Sequence, residues 1–217
     1  MLSLAEELLL IAFDDDRGVV LTCDAILDYG LVGAVLSDLI LQDRLKLELG
    51  NLVVKKNAAT GDDILDSVLT QIAEAPLQAP SKWIASLSAA SEQLRDRLLE
   101  RLIEQGILRR EEHKVLWVIS SPHYPMQDSS SESESRDRIR AAVLEGKQPD
   151  PRTTALISLV KACKLVGEVF SETELPLCDR RIPEIINAGF AGKSVTDVVN
   201  CIDESTLAAI TAAASVQ

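Results

Sequence analysis

The chain has 217 residues, of which 47% are hydrophobic and 26% charged, and it carries a net charge of −12. That length and balance allow a sizeable buried core in a single domain. The acidic excess excludes nonspecific nucleic-acid binding, which needs cations to neutralise phosphates.

In chain order, Ser3 is placed to cap a first helix, with Glu6 three residues later to complete a capping box, and Leu4, Leu8 and Ile11 share one face. There is no early Lys or Arg, and Glu6-Glu7 interrupts the apolar run, so this is no signal peptide. No apolar stretch approaches the roughly 20 residues of a bilayer-spanning helix. The expected location is cytoplasmic, with any membrane contact peripheral. Residues 14–18 read as a turn and Val19 to Thr22 as a short strand. Asp24 can cap a second helix in which Leu31, Val35 and Leu39 repeat at i, i+4 and i+8. Leu45 to Leu49 alternates apolar and charged residues, and Gly50-Asn51 turns it back into Leu52-Val53-Val54, a hairpin.

The same grammar recurs. A helix around Leu94 to Glu104 leads through Gly106 to a second hairpin whose apolar strand is Val115, Leu116, Trp117, Val118 and Ile119. The acidic serine run at residues 127–136 is too polar to bury surface and reads as a mobile loop. In Thr154 to Phe170, Leu156, Val160, Cys163, Gly167 and Phe170 step by four, three, four and three, which predicts one long core helix. A terminal helix follows from Lys193, with Val195, Val198, Val199 and Ile202 on its apolar face. The pattern predicts a mostly α fold over residues 1–217, with small β-hairpins at its edge.

Little in the chain names a chemistry. Cys23, Cys163, Cys178 and Cys201 form no CxxC, and His113 and His123 do not cluster with them, so neither a zinc site nor another cofactor is expected. Asp62-Asp63-Ile64-Leu65-Asp66 spells DDxxD. Asp62 and Asp66, four apart on a helix face, could share magnesium, which is the basis of one alternative, a small metal-dependent enzyme. A second acidic cluster is missing, and acidic residues at a helix start are stabilised by the macrodipole alone. A second alternative follows from the helix-then-hairpin pattern, which is also how a winged-helix module ends. Neither Asp24 to Asp43 nor Glu92 to Glu104 offers a clear basic recognition helix.

A resemblance gives a more specific reading. Gly30-Leu31-Val32-Gly33-Ala34-Val35-Leu36, continuing through Asp38-Leu39 to Asp43-Arg44-Leu45, resembles the Golgi phosphoprotein 3 family, as does the opening Leu2-Ser3-Leu4-Ala5-Glu6-Glu7-Leu8. Thr60-Gly61-Asp62, Trp83-Ile84, Arg95 through Leu108, and Asp150-Pro151-Arg152 with the following helix continue it in the same order. The resemblance implies a helical bundle ringed by amphipathic helices. It also implies a peripheral membrane adaptor without enzymatic activity, binding phosphatidylinositol 4-phosphate and sorting the cytosolic tails of membrane enzymes. The chain starts at the first helix, without the basic extension of the eukaryotic adaptors, which is compatible with a bacterial branch.

The lipid-contact positions depart from the family pattern. Cys23 stands where lipid-binding members carry tryptophan, Val32 where they carry arginine, and Glu92 and Arg95 where they carry two basic residues three apart. Of that headgroup pocket only Arg95 remains. Each lost charged hydrogen bond costs about 1.5–3 kcal/mol, so selective headgroup affinity should largely disappear. The Val115 to Ile119 hairpin is the second membrane element by resemblance, for insertion or self-association into a homo-oligomer. Trp117 fits an interfacial position or packing against the bundle equally well. Basic cytosolic tails would suit the acidic surface, which solubility alone also explains.

Overall fold

The structure, a computed structural model, describes residues 2–14, 20–111, 114–115, 118–119 and 123–202. Helix α1 (Leu4–Ile11) opens on the expected capping box: Ser3 Oγ accepts from the Glu6 N–H at 3.2 Å, and the Ser3 N–H donates to Glu6 Oε2 at 2.6 Å. All eight of its residues are buried, glutamates included.

Helix α2 (Asp24–Leu41) is the axis of the fold. Its residues from Gly30 to Leu39 are buried without interruption, because α1, α3 (Asp63–Glu74), α4 (Pro80–Ser88), α5 (Ser91–Glu104) and α7 (Pro151–Ala162) all pack against it. A helix apolar on every face must be enclosed in this way. Its two glycines permit the enclosure. A Cβ on Gly30 would lie 2.2 Å from Cys163 Sγ, and one on Gly33 would lie 2.6 Å from Ile202 Cδ1. Gly30→Ala should therefore destabilise the protein by roughly 1–3 kcal/mol of overpacking. That outweighs the gain of about 1 kcal/mol in helix propensity. Cys163→Ala removes the offending sulfur and leaves its Cβ 3.9 Å away, with the tip of Leu8, Cδ2 at 3.2 Å, the one neighbour that must still give. The double variant should then recover most of the loss, and urea unfolding of the four-member cycle measures the coupling.

Strands β1 (Leu45–Glu48) and β2 (Asn51–Val54) form the first hairpin, with Leu45 opposite Val54 and Leu47 opposite Leu52. The second hairpin has β3 (Lys114–Val115) and β4 (Val118–Ile119), with Val115 opposite Val118. Backbone bridges Glu111–His123 and Leu108–Met126 continue it toward the bundle. Leu116, Trp117 and His113 lie outside the described residues. Helix α6 (Ser130–Leu144) packs on α1, α7 and α9 (Leu175–Asn187). The short α8 (Val166–Val169) contacts α9, and residues 193–202 form a further helix with Val195, Val198, Val199 and Ile202 buried. The fold is mostly helical with small hairpins, as the pattern predicts.

Four local expectations need correction. Asp24 does not cap α2; Cys23 holds the cap position without a side-chain bond, and Asp24 is the first helical residue. Val20 makes one isolated bridge to Phe13 rather than a strand, with residues 15–19 outside the description. The predicted helix from Thr154 to Phe170 is two helices. It stops at Ala162, and Lys164 takes a left-handed φ of 61° before α8 begins. The serine run 127–136 is not one loop, because α6 starts at Ser130 and buries Glu132 and Ser135. Their polar atoms are satisfied inside the fold, Glu132 by Arg136 and Ser135 Oγ by donation to Glu7 Oε1 at 3.1 Å.

Candidate functional site

The four positions of the expected headgroup pocket sit on the N-terminal part of α2 and on α5. Cys23 and Glu92 are exposed. Val32 is buried, lining a narrow groove of about 170 Å³ whose walls are apolar at Val35, Ile64, Val68 and Leu94 and polar at Ser67, Gln71, Gln93 and Arg97. Arg95 is the remaining cation, and α2 occupies it. Its Nη1 donates to Asp24 Oδ1 at 2.8 Å and its Nη2 to Asp28 Oδ1. Burial works against the Arg95 charge, but the hydrogen bonds and charges of Asp28 and Asp24 prevail and raise its pKa above the ordinary arginine value. Arg95, expected from the resemblance to meet a phosphate, is bonded to two carboxylates that sequence reading does not connect with it.

The other arginines of α5 are held in the same way. Arg97 donates to Asp63 Oδ2 at 2.6 Å. Arg101 grips Asp62 with two donors, at 2.7 and 3.2 Å, and also bonds Asp63. A helix whose arginines are spent on α2 and α3 offers no basic face to nucleic acid. The DDxxD motif is likewise absorbed. Asp62 caps α3, accepting from the Ile64 and Leu65 N–H groups at 2.8 and 3.1 Å. Burial raises its pKa, but Arg101 and these two N–H groups bring it below the usual carboxylate value. Asp66 turns instead to Thr60, accepting from its N–H at 2.6 Å and its hydroxyl at 2.8 Å. Asp62 and Asp66 thus serve separate structural bonds, and no group of three ligating side chains converges among the described residues.

A strongly charged recess lies elsewhere. A cleft of about 470 Å³ is lined by Ser3, Glu6, Asp38, Asp62, Arg101 and Arg152, among others. Arg152, in the first turn of α7, donates to Asp38 Oδ1 at 2.9 Å, to Leu2 O at 2.6 Å and to Glu7 Oε2 at 3.1 Å. Asp38 also accepts from the Leu4 N–H at 2.7 Å. Burial outweighs these stabilising partners and pushes the Asp38 pKa up to about 6. Glu7 is shared further with Arg138 and Ser135. The sequence presents these residues only as parts of family segments; their convergence from α1, α2, α3, α5 and α7 carries no local signal.

A family model for Golgi phosphoprotein 3 (GPP34) matches residues 4–202. The chain belongs to the Golgi phosphoprotein 3 family. Among its relatives is vacuolar protein sorting-associated protein 74 of Schizosaccharomyces pombe, 26% identical over 159 residues. That match covers 64% of this chain and 47% of the relative, so the chain spans about half the length of the curated relative it matches. Within the Golgi phosphoprotein 3 family assignment, no described helix is long and apolar enough to cross a membrane.

Proposed function

We propose that this chain is a peripheral membrane adaptor of the Golgi phosphoprotein 3 type, without catalytic activity, in which the family's phosphatidylinositol 4-phosphate pocket has been converted into a structural contact. The observation that carries this reading is the pairing of Arg95 with Asp24 and Asp28. A headgroup phosphate would have to displace two carboxylates already bonded to its only cation among Cys23, Val32, Glu92 and Arg95. Family membership and a relative named for protein sorting support the adaptor role. The acidic surface, at −12 overall, supports basic cytosolic tails as the cargo. Membrane contact and self-association are assigned to the Val115 to Ile119 hairpin, with Trp117 as the interfacial side chain.

Liposome flotation tests the reading. At physiological salt the protein should show weak binding and no preference for phosphatidylinositol 4-phosphate over other anionic lipids; clear headgroup selectivity would overturn the proposal. Cys23→Trp, Val32→Arg and Glu92→Arg together with Asp24→Asn and Asp28→Asn should restore selective binding, with circular dichroism confirming the fold. Trp117→Ala should lower residual flotation or oligomer mass, and no change in either would remove the hairpin as a contact surface.

A further inference from the structure

Three of the four large apolar side chains that stand exposed among the described residues belong to the first hairpin or to the segments along its edges: Leu49, Leu77 and Phe190. Leu49 and Gly50 form the two-residue turn between β1 and β2, with φ of 50° and 78°. A turn of this shape favours Asn-Gly, because most side chains are strained in the left-handed region. Leu49 adopts that conformation and is 97% exposed, so no contact within the fold offsets the strain. A strained outlier that serves nothing internally points to a contact outside the molecule.

The edges of the hairpin extend the surface. The Leu52 N–H donates to the Gln78 carbonyl at 2.9 Å, in an antiparallel bridge that puts Leu77, 68% exposed, opposite Val53. Along β1, the Leu47 N–H donates to Ser194 Oγ at 3.3 Å, which ties the hairpin to the loop carrying Phe190 between Gly189 and Gly192.

The charge here runs against that of the whole chain. Residues 43–61, 75–82 and 188–194 carry six cations, Arg44, Lys46, Lys55, Lys56, Lys82 and Lys193, against two carboxylates, Asp43 and Glu48. Lys55 and Lys56 share Asp43, and Lys46 pairs with Glu48. These segments are therefore net positive in a protein of −12. Protruding apolar tips among lysines suit an anionic bilayer: the leucines enter the headgroup boundary, and the ammonium groups are attracted within a Debye length. A second copy of the chain would instead bring like charges together.

We propose that the first hairpin, through Leu49, Leu77 and the surrounding lysines, docks on the surface of an anionic bilayer. The inference rests on the peripheral membrane reading and adds a contact separate from the Val115 to Ile119 hairpin.

Flotation of the full chain with vesicles of phosphatidylcholine alone, or mixed with phosphatidylglycerol, tests it. The unaltered protein should float with the anionic vesicles and less so as salt rises. Leu49→Asn relieves the turn, so it should raise the melting temperature by about 2–4 °C while lowering the partition coefficient about tenfold. That opposite movement separates a contact residue from a structural one. Leu77→Gln, and Lys46→Glu with Lys193→Glu, should also lower flotation. Flotation unchanged in Leu49→Asn and Leu77→Gln but lost in Trp117→Ala would overturn the inference and leave the membrane reading standing. No flotation with either vesicle would overturn both, and equal flotation with neutral vesicles would overturn the inference. So would an oligomer mass, measured without vesicles, that falls in Leu49→Asn while flotation does not, since that surface would then belong to a second copy.

Discussion

Arg152→Ala should destabilise the protein by about 3–5 kcal/mol, the usual cost of removing one partner from a buried ion pair. The side chain ties three segments together, bonding the carboxylates of Asp38 and Glu7 and the carbonyl of Leu2. The two carboxylate side chains are only 4% and 6% exposed. Without the guanidinium, Asp38 keeps a single partner, the Leu4 N–H, and must either carry an uncompensated buried charge or take up a proton. Glu7 retains Arg138 and Ser135, so the loss should fall mainly on Asp38. For a chain of this size, 3 kcal/mol lowers the melting temperature by roughly 6–12 °C. Arg152→Lys should recover only part of the loss, because one ammonium cannot reproduce the planar, multiply bonded geometry. Thermal and urea unfolding of both variants check this. A loss below about 1 kcal/mol for Arg152→Ala would show that water enters and solvates Asp38.

The second large effect depends on pH. Burial raises the Asp38 pKa from 3.8 to about 6, against the pull of Arg152 and the Leu4 N–H. The folded state therefore holds the proton more tightly than the unfolded state. By linkage, the contribution of Asp38 to stability falls as pH rises through the window from about 4 to 6 and is least favourable above it. Lowering the pH from 7 toward 4 should return on the order of 3 kcal/mol from this residue. Several carboxylates act in the opposite sense. Asp62, Asp63, Asp66 and Asp150 have pKa values below the ordinary range, and Glu174, paired with Arg140, lies at about 2. Their stabilising effect is present at neutral pH and is lost as pH falls below the usual carboxylate range. A stability maximum near pH 4–5 is expected, and Asp38→Asn should flatten the rise between pH 6 and that maximum. Parallel urea titrations of the two proteins measure it, and parallel profiles would show that Asp38 does not titrate in this window.

Legibility in the sequence followed the reach of each signal. The Ser3-x-x-Glu6 box is local, and the structure forms it as expected. The repeat of Leu31, Val35 and Leu39 predicts a buried face, and the helix there is buried all round. The break between α7 and α8 escaped the same logic. A single residue, Lys164, reverses the backbone, while apolar spacing continues through Cys163 to Phe170. The serine run reads as a loop because composition averages polarity over a segment, whereas burial is decided atom by atom, here by Arg136 and Glu7. At the candidate sites, Cys23, Val32, Glu92 and Arg95 were visible through resemblance, but the carboxylates holding Arg95 lie 71 and 67 residues away. The Glu6 cleft joins five helices, so no window of sequence could display it.

The burial of Ser135 also divides the serine run by chemical accessibility. Ser129, Ser130 and Ser133 are exposed, within reach of a kinase on the folded protein. A phosphate on Ser129 or Ser130 would sit at the start of α6, where the helix dipole favours negative charge. Ser135, 2% exposed and bonded to Glu7, is sealed between α6 and α1. A phosphoryl group there would face a buried carboxylate, so a kinase could modify it only before α6 docks, and the product could not close.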